Sequence, residues 1–196
     1  MKKKNTGFTL LEAIITVSIA AILASIALPN LQSFVASSRM ENGMGRFHMA
    51  LAYARSEAIK RGFDVSICVS NANQTACDTS RNDYAKGWLI FTDYDGNGVY
   101  DNSVTADTTG DGIADSAETI LQVSPALDKK ISITNAGVFE DAITYKPTGQ
   151  TTAALAAPND RFYINSNGKT HKNLVISVTG RIKACSLATP TAGGMC

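Results

Sequence analysis

A run of apolar residues at positions 8–28, shortly after three lysines, constrains this chain more than any other feature. As an α-helix with a rise of about 1.5 Å per residue, the run reaches about 30 Å, which matches the hydrocarbon core of a bilayer. No acid lies among Lys2, Lys3 and Lys4, so the positive-inside rule keeps the N-terminus in the cytoplasm. The pattern predicts a single membrane-spanning helix, with the remainder of the chain on the other side of the membrane.

Glu12 interrupts this apolar run. A carboxylate at the centre of a membrane helix costs about 2.5 to 3.5 kcal/mol on insertion scales, and charged residues within such helices usually have a partner. The run itself contains no cation. The nearest source of one is the α-amino group that cleavage between Gly7 and Phe8 would create, supplied by a neighbouring copy in a helical stack. The alternative is a glutamate that reaches the membrane–water interface without a partner.

Positions 7–12 read Gly-Phe-Thr-Leu-Leu-Glu, and Pro29 follows the apolar run. This combination resembles the processing site and the helix-bending proline of the type IV pilin superfamily. The resemblance implies cleavage after Gly7 by a prepilin peptidase, N-methylation of Phe8, and contact between Glu12 and the Phe8 amine of an adjacent subunit during filament assembly. Because the basic leader, residues 1–7, ends before the apolar run, its removal leaves the hydrophobic helix attached to the protein.

The helical pattern continues beyond the apolar run and becomes amphipathic. Apolar residues recur at alternating spacings of four and three, at Met40, Met44, Phe47, Leu51, Ala54 and Ala58. The pattern predicts a helix over 8–61, with 8–28 in the membrane and 29–61 as a stalk whose apolar stripe packs on the following domain. Gly62 is the expected stop.

Residues 62–196 consist of short β-prone runs separated by Asn, Gly, Asp and Pro. The predicted strands are residues 65–69, 87–91, 120–123, 131–134, 143–145, 161–164 and 174–178. The predicted fold class is therefore α+β, with a long N-terminal membrane-spanning helix packed on one antiparallel, β-sandwich-like head.

Four segments of the chain resemble the GspH/FimT/FimU group of minor pilins and pseudopilins within the type IV pilin superfamily. They are residues 52–61 at the end of the helix, residues 65–68, residues 87–93 and residues 177–181. The resemblance implies a β-sandwich-like head on the long helix, which agrees with the strand pattern.

Four cysteines lie in the part of the chain that is predicted to be outside the cytoplasm, where disulfides form. Four cysteines allow three sets of pairs. The spacing favours Cys68 with Cys77 and Cys185 with Cys196, because each pair closes a short loop around turn-forming residues.

Acidic residues are concentrated between positions 87 and 128, where the sequence has eight acids and no base. Two stretches follow the pattern of EF-hand calcium loops, in which alternate oxygen ligands converge on a hard cation. The first stretch supplies Asp93, Asp95, Asn97 and Asp101 but has a valine at the twelfth position, and the second supplies Asp107, Thr109, Asp111, Asp115 and Glu118. Calcium would order this region, since like charges repel one another without a cation. The alternative is a solvated, turn-rich insert.

The C-terminal region is basic, with five bases and no acid from position 161 onward. Positions 180–183 read Gly-Arg-Ile-Lys and resemble the Gly-Arg-x-Arg tail motif of FimT proteins, which bind DNA during natural transformation. Arg181 and Lys183 are the candidate phosphate contacts, and Lys169 and Lys172 are candidates to extend the patch. Lys183 keeps the charge but lacks the planar guanidinium fork. The alternative is a strand end with ordinary surface bases.

The motifs of common enzyme classes are not found in the sequence. Its two histidines, His48 and His171, do not have metal-ligand spacing, and neither a nucleophile elbow nor a phosphate loop occurs. The resemblance instead implies a minor pilin that requires no cofactor, and calcium is a candidate ligand from the acidic loop pattern alone. The protein would sit in the inner membrane with its head in the periplasm, and would then join an extracellular type IV pilus near the tip, promoting assembly with other minor and major pilins.

Two alternative functions stay open at this point. One is a FimT-like minor pilin that binds DNA for natural transformation, and the other is a GspH-like pseudopilin of type II secretion.

Overall fold

The computed structural model describes residues 9–80, 82–102, 117–135, 142–152, 159–166, 169–177 and 179–186. In these residues the chain forms a long helix, α1 (Leu10–Arg61), and a short 3-10 helix (Tyr84–Lys86). The strands are β1 (Val65–Val69), β2 (Gly87–Thr92), β3 (Ile120–Pro125), β4 (Ile131–Asn135), β5 (Ala142–Tyr145), β6 (Asn159–Ser166), β7 (Lys169–Ser177) and β8 (Ile182–Ser186). The predicted α+β class is confirmed.

Helix α1 begins and ends where the sequence supplies capping groups. At its start the Thr9 hydroxyl accepts a hydrogen bond from the Glu12 N–H at 3.3 Å, as the N-cap of a Thr-x-x-Glu capping box does. At its end Gly62 adopts a φ of 81°, and its N–H donates to the Ala58 carbonyl at 3.0 Å. The predicted helix end at Arg61 and the glycine stop are thus confirmed.

The chain divides into two compact units, Met1–Ser38 and Arg39–Cys196. In the first unit α1 exposes large apolar side chains, among them Leu11, Ile19 and Leu23. By length and composition α1 is able to cross a membrane.

In the second unit α1 packs the predicted apolar stripe against the sheets. The buried members of the stripe are Met40, Phe47, Leu51, Ala54 and Ala58, and Met44 is partly buried against them. The ring of Phe47 lies 5.1 Å from the ring of Tyr84 and 5.2 Å from that of Phe162, centroid to centroid. Side chains from α1 and from both sheets form one hydrophobic core, which also contains Trp88.

The first sheet has the strand order β3-β2-β1-β5, with antiparallel pairing throughout. β1 and β2 are buried on both faces, which explains why their sequences do not alternate between apolar and polar residues. One face meets the main core. On the other face, Leu89 and Phe91 are covered by Tyr100 and Ile120. The segment that follows β2 therefore folds back onto the sheet, which keeps its acidic residues close to the sheet.

The second sheet has the order β4-β6-β7-β8, also antiparallel. β4 alternates between buried and half-buried residues, so one face of the sheet packs on the core and the other faces solvent. The sequence pattern predicts seven of these strands and does not predict β8. Its sequence, IKACS, has a single β-branched residue and a weak strand pattern. β8 forms because the edge of β7 offers backbone partners, with Leu174 opposite Ala184 and Ile176 opposite Ile182.

Candidate functional site

The predicted processing and assembly residues lie at the start of the chain. Gly7 and Phe8 lie outside the described residues. Glu12 is exposed in the first turn of α1, where its N–H is bound by the Thr9 hydroxyl. A carboxylate in the first turn interacts favourably with the helix dipole, and the exposure of Glu12 leaves it accessible to another chain.

Cys68 and Cys77 form a disulfide, as predicted. The Cys68 side chain belongs to the small cluster on the outer face of the first sheet. The Tyr100 N–H donates to Cys77 Sγ at 3.4 Å, so the disulfide also supports the acidic segment. Cys185 lies in β8, but its predicted partner Cys196 lies outside the described residues, and this pair stays a prediction.

The acidic segment begins with Asp93, which is fully buried at the end of β2. Its Oδ2 accepts hydrogen bonds from the Ser66 hydroxyl at 2.5 Å and from the Gly98 N–H at 3.0 Å. The Ser66 and Thr144 hydroxyls lie 2.6 Å apart, which ties the carboxylate to β1 and β5. The other oxygen, Oδ1, is buried and has no hydrogen-bond partner among the described residues. Such an oxygen is unusual, because burial has removed the water that would solvate it.

Asp95 and Glu118 form a cluster with Asp93, in which one carboxylate oxygen from each residue lies within 4.8 Å of the other two. Glu118 is buried, and its Oε2 accepts a hydrogen bond from the Asp101 N–H at 2.9 Å. The Glu118 N–H in turn donates to the Asp101 carbonyl at 3.3 Å. The sequence pattern assigned Glu118 to the second loop, whereas the structure places it beside the first. The other predicted ligands of the second loop, Asp107, Thr109, Asp111 and Asp115, lie outside the described residues.

Asn97 and Gly98 shape the turn of the first loop. The Asn97 Nδ2 donates to Asp95 Oδ2 at 2.5 Å, and the Asn97 Oδ1 accepts from the Val99 N–H at 2.5 Å. Gly98 has a φ of 75°, and a Cβ there would lie 3.0 Å from the Cβ of Ala142, so the turn requires glycine. The amide of Asn97, a predicted calcium ligand, is thus engaged within the turn itself.

The three carboxylates lie close together without a basic side chain paired to any of them in the described ranges. Burial raises the pKa of Asp93 to about 6, against the opposing hydrogen bond from Ser66. Burial also raises the pKa of Glu118 to about 8, and the like charges of Asp93, Asp101 and Asp95 add to the increase. Within the described part of the chain, none of the three clustered carboxylates forms an ion pair. This site has the chemistry to accept a cation.

The structure separates the predicted basic residues. Arg181 and Lys183 are exposed at and just before the start of β8. Lys172 is aligned with core residue Ile164 of β6 and forms an ion pair with Glu41 of α1. It therefore lies on the helix-facing side of the sheet, and the structure does not bring it together with Lys183, which is on the open side. The side chain of Lys169 lies outside the described set.

Arg55 connects three parts of the head, a role that no sequence motif indicates. Its Nε donates to the Gly149 carbonyl and its terminal NH2 group to the Thr179 carbonyl, both at 2.9 Å. Next to these contacts, Gly180 has a φ of 71°, and a Cβ at this position would overlap the Gly149 carbonyl oxygen. The glycine of the Gly-Arg-x-Lys motif is thus required by packing. No local pattern signals Arg55, because its partners lie 94 and 124 residues away.

The head matches a known family over most of its length. Residues 44–180 match the family described as type II transport protein GspH. The chain belongs to the GspH family. Residues 2–28 match the prokaryotic N-terminal methylation motif, so a GspH head and a type IV pilin N-terminus occur in the same chain.

Relatives of this GspH-family chain include two fimbrial proteins of Pseudomonas aeruginosa. Each is 34% identical over 150 residues, which cover 74% of this chain and 90% of the relative. A crystal structure of the P. aeruginosa type IV minor pilin FimU is similar, with a TM-score of 0.50 and 21% identity over 76% of this chain and 90% of that chain. The minor pseudopilin EpsH of the Vibrio cholerae type 2 secretion system has a TM-score of 0.44 and 12% identity, covering 76% and 97%. The likeness to FimU supports the fold described above.

Proposed function

We propose that this chain is a minor pilin of a type IV pilus. The observation that carries the proposal is the combination of an N-terminal methylation motif at 2–28 with a GspH head at 44–180. Relatives with 34% identity are fimbrial proteins, which favours a pilus over a secretion apparatus. The chain is held in the inner membrane by residues 8–28 with its head in the periplasm, and later joins the extracellular filament.

Processing and assembly both depend on the first residues of the chain. A prepilin peptidase cleaves after Gly7, and Phe8 is N-methylated. Glu12, which is exposed in the first turn of α1, then contacts the Phe8 amine of an adjacent subunit. Because a carboxylate in a membrane helix is unfavourable without a partner, this pairing selects the axial position at which neighbouring helices align. The exposed apolar side chains of α1 supply van der Waals contacts with adjacent helices.

Within the filament, we place the protein near the tip, where it promotes assembly with other minor pilins and with the major pilin. The fimbrial relatives support membership of a filament. Immunogold labelling of the head tests the position, because a tip subunit labels one end of a pilus and a subunit spread along the filament labels its length.

Complementation of a deletion strain tests the proposed assembly role. We expect the wild-type gene to restore surface pili and the protein to appear in sheared filaments. Glu12→Ala should still be cleaved but should remain in the membrane fraction. Glu41→Ala is the matched control and should restore pili, since Glu41 is an exposed carboxylate on the same helix and its ion pair with Lys172 lies at the surface, where such pairs contribute little. Normal incorporation of Glu12→Ala, or absence of the wild-type protein from sheared pili, would contradict the proposal.

The same strain separates a pilus from a secretion role. A minor pilin affects surface pili and leaves type II secretion intact. Loss of secreted enzymes with normal pili would instead identify a pseudopilin.

DNA binding is a second candidate function, supported by the exposure of Arg181 and Lys183 at β8. Electrostatic binding to phosphates weakens steeply with salt, so we expect binding at low salt that falls as salt is raised. An Arg181→Ala and Lys183→Ala double variant should lose this binding. The matched control is Lys129→Ala and Lys130→Ala, which removes the same charge from exposed positions elsewhere. Equal loss in both variants, or no binding at low salt, would contradict a DNA-uptake role.

A further inference from the structure

Three carboxylates from two separate parts of the chain meet at one end of the first sheet. Asp93 and Asp95 follow β2, whereas Glu118 precedes β3, and one oxygen from each lies within 4.8 Å of the other two. Asp93 and Glu118 are buried. Ionised carboxylates this close repel one another, and burial strengthens the repulsion, so the arrangement is unfavourable unless a proton or a cation lies among them.

The bonding of Asp93 is a second and independent observation. Ser66 and Gly98 both donate to Oδ2, so that oxygen is satisfied by the protein. Oδ1 is buried and has no hydrogen-bond partner in the described segments. An ionised carboxylate oxygen only accepts, so Oδ1 needs a donor or a cation. A proton on Glu118 or Asp95 supplies a donor in the metal-free protein, and a bound cation would displace that proton and contact all three carboxylates. The unsatisfied oxygen therefore points to a positively charged ligand.

We propose that Asp93, Asp95 and Glu118 together bind a single calcium ion. The first acidic loop has no acid at its own twelfth position, and Glu118, which precedes β3 at the same end of the sheet, takes that role. An all-oxygen set with three carboxylates selects a hard divalent cation. Calcium accepts six to eight oxygens in a flexible geometry, whereas magnesium demands a near-ideal octahedron, so an irregular cluster of this kind favours calcium.

The ion would join the two ends of the segment between β2 and β3. Asp101 and Glu118 already pair through two hydrogen bonds, at 2.9 and 3.3 Å. Thr92 and Thr119 pair next to them, with the Thr92 N–H donating to the Thr119 carbonyl at 3.0 Å. Calcium binding would thus strengthen the contact between the two ends of this segment, and it would neutralise the carboxylates whose mutual repulsion weakens that contact.

Calorimetric titration of the full chain in detergent micelles, after removal of metal with EDTA, tests this proposal. We expect one saturable site for CaCl2 and a weaker response to MgCl2. At a free calcium concentration 100 times the Kd, the Tm of the head should rise by about 5 to 10 °C, because the ion binds only the folded state. No calcium binding, an equal response to magnesium, or two equivalent sites would overturn the proposal of a single calcium site.

Two conservative variants identify the ligands. Asp95→Asn and Glu118→Gln should each weaken calcium binding about tenfold or more, since affinity follows the ligand charge. Glu118→Gln retains an oxygen that accepts from the Asp101 N–H. In EDTA we expect it to be at least as stable as the wild type, and in calcium less stable. A loss of stability under both conditions would show a purely structural role for Glu118 and overturn the proposal.

Two further variants serve as controls. Asp128→Asn removes an acid from the same acid-rich region, but one that pairs with Arg39 at 3.4 Å and lies outside the cluster, so calcium binding should be unchanged. An Asp107→Asn and Asp111→Asn double variant tests whether calcium binds the three-carboxylate cluster or a contiguous loop at 107–118. Retained binding supports the cluster, and lost binding assigns the ion to the contiguous loop.

Discussion

Gly180 and Gly45 show how differently two glycines of one chain are constrained. Gly180 has a left-handed backbone and lies against Gly149, where a Cβ has no room. Gly45 lies inside α1, and nothing lies within 4 Å of the position that its Cβ would occupy. Inside a helix, glycine is less favourable than alanine by about 1 kcal/mol because it loses more backbone entropy.

We therefore expect opposite results from the same substitution at these two positions. Gly180→Ala should destabilise the head by about 2 kcal/mol or more, from the left-handed backbone and the overlap with Gly149. Gly45→Ala should stabilise it by up to about 1 kcal/mol. Thermal melts of the two variants beside the wild type measure both effects. An unchanged Tm for Gly180→Ala would show that the turn at Gly149 shifts to accommodate the added methyl group without a cost in stability.

Tyr145 is fully buried, and its hydroxyl has no hydrogen-bond partner among the described side chains. Burial raises the pKa of this hydroxyl strongly, against a smaller opposing effect of Arg55. The folded protein thus keeps the hydroxyl neutral at a pH where the unfolded chain ionises it. The resulting stability is fully present below the unfolded pKa of about 10 and is lost as the pH rises above that value.

Tyr145→Phe should remove this alkaline sensitivity. At pH 7 we expect the free energy of unfolding of the variant to equal or slightly exceed that of the wild type, since the variant loses an unsatisfied polar group. Between pH 7 and pH 10.5 the advantage of the variant in free energy of unfolding should grow by about 1 kcal/mol. Urea unfolding at the two pH values measures the difference, with Tyr163→Phe, at a half-buried tyrosine of the second sheet, as the control. If Tyr145→Phe and the wild type lose the same stability between pH 7 and pH 10.5, this buried hydroxyl is not the cause of the alkaline destabilisation.

At the scale of elements, Arg55 joins α1 to two turns of the head. Its guanidinium donates to the carbonyls of Gly149 and Thr179, which belong to the turn after β5 and the turn between β7 and β8. A planar group with several donors is able to bind both carbonyls at once, which an ammonium group cannot do with the same geometry. The end of α1 and the two turns are thus positioned by one side chain.

Arg55→Lys should destabilise the head by about 1 kcal/mol, because an ammonium group does not reproduce both hydrogen bonds, one to the part-buried Gly149 carbonyl and one to the exposed Thr179 carbonyl. The matched control is Arg39→Lys, since Arg39 forms a surface ion pair with Asp128, and such pairs contribute little. Chemical denaturation of both variants gives the comparison. Equal effects of the two substitutions would argue against a connecting role for Arg55.

At the scale of the molecule, the chain has two compact units. Met1–Ser38 contains the part of α1 with exposed apolar side chains, and Arg39–Cys196 contains the hydrophobic core. The core includes Met40, Phe47 and Leu51 from α1 together with side chains of both sheets. The core of the head therefore includes the second part of α1 but no described side chain from the apolar run at 9–26.

Two truncations test this division. A chain of residues 29–196 should be soluble and should unfold cooperatively, as compact domains of this size usually do. A chain of residues 52–196 lacks Phe47 and Leu51, and should lose cooperative unfolding because two fully buried side chains are gone from the core. Circular dichroism melts distinguish the outcomes. A cooperative transition in the shorter chain would contradict the role assigned to α1 in the core.

Several features followed from the sequence because they depend on local or periodic patterns. The helix end at Gly62, the apolar stripe from Met40 to Ala58 and the Cys68–Cys77 disulfide were predicted from the spacing of the residues themselves. The strands of the first sheet were predicted because their apolar runs are strong. β8 was not, since its strand state depends on the edge of β7 rather than on its own residues.

The sequence by itself determined the membrane-spanning pattern, the fold class and the positions of most strands, because side-chain periodicity and chain-breaking residues act over a few positions. Only the tertiary structure decided that Glu118 joins Asp93 and Asp95, and that Lys172 faces Glu41 rather than Lys183. These outcomes depend on sheet register and on contacts between residues far apart in the chain. A one-dimensional pattern records which side chains are present, and the pairing of strands determines which of them meet.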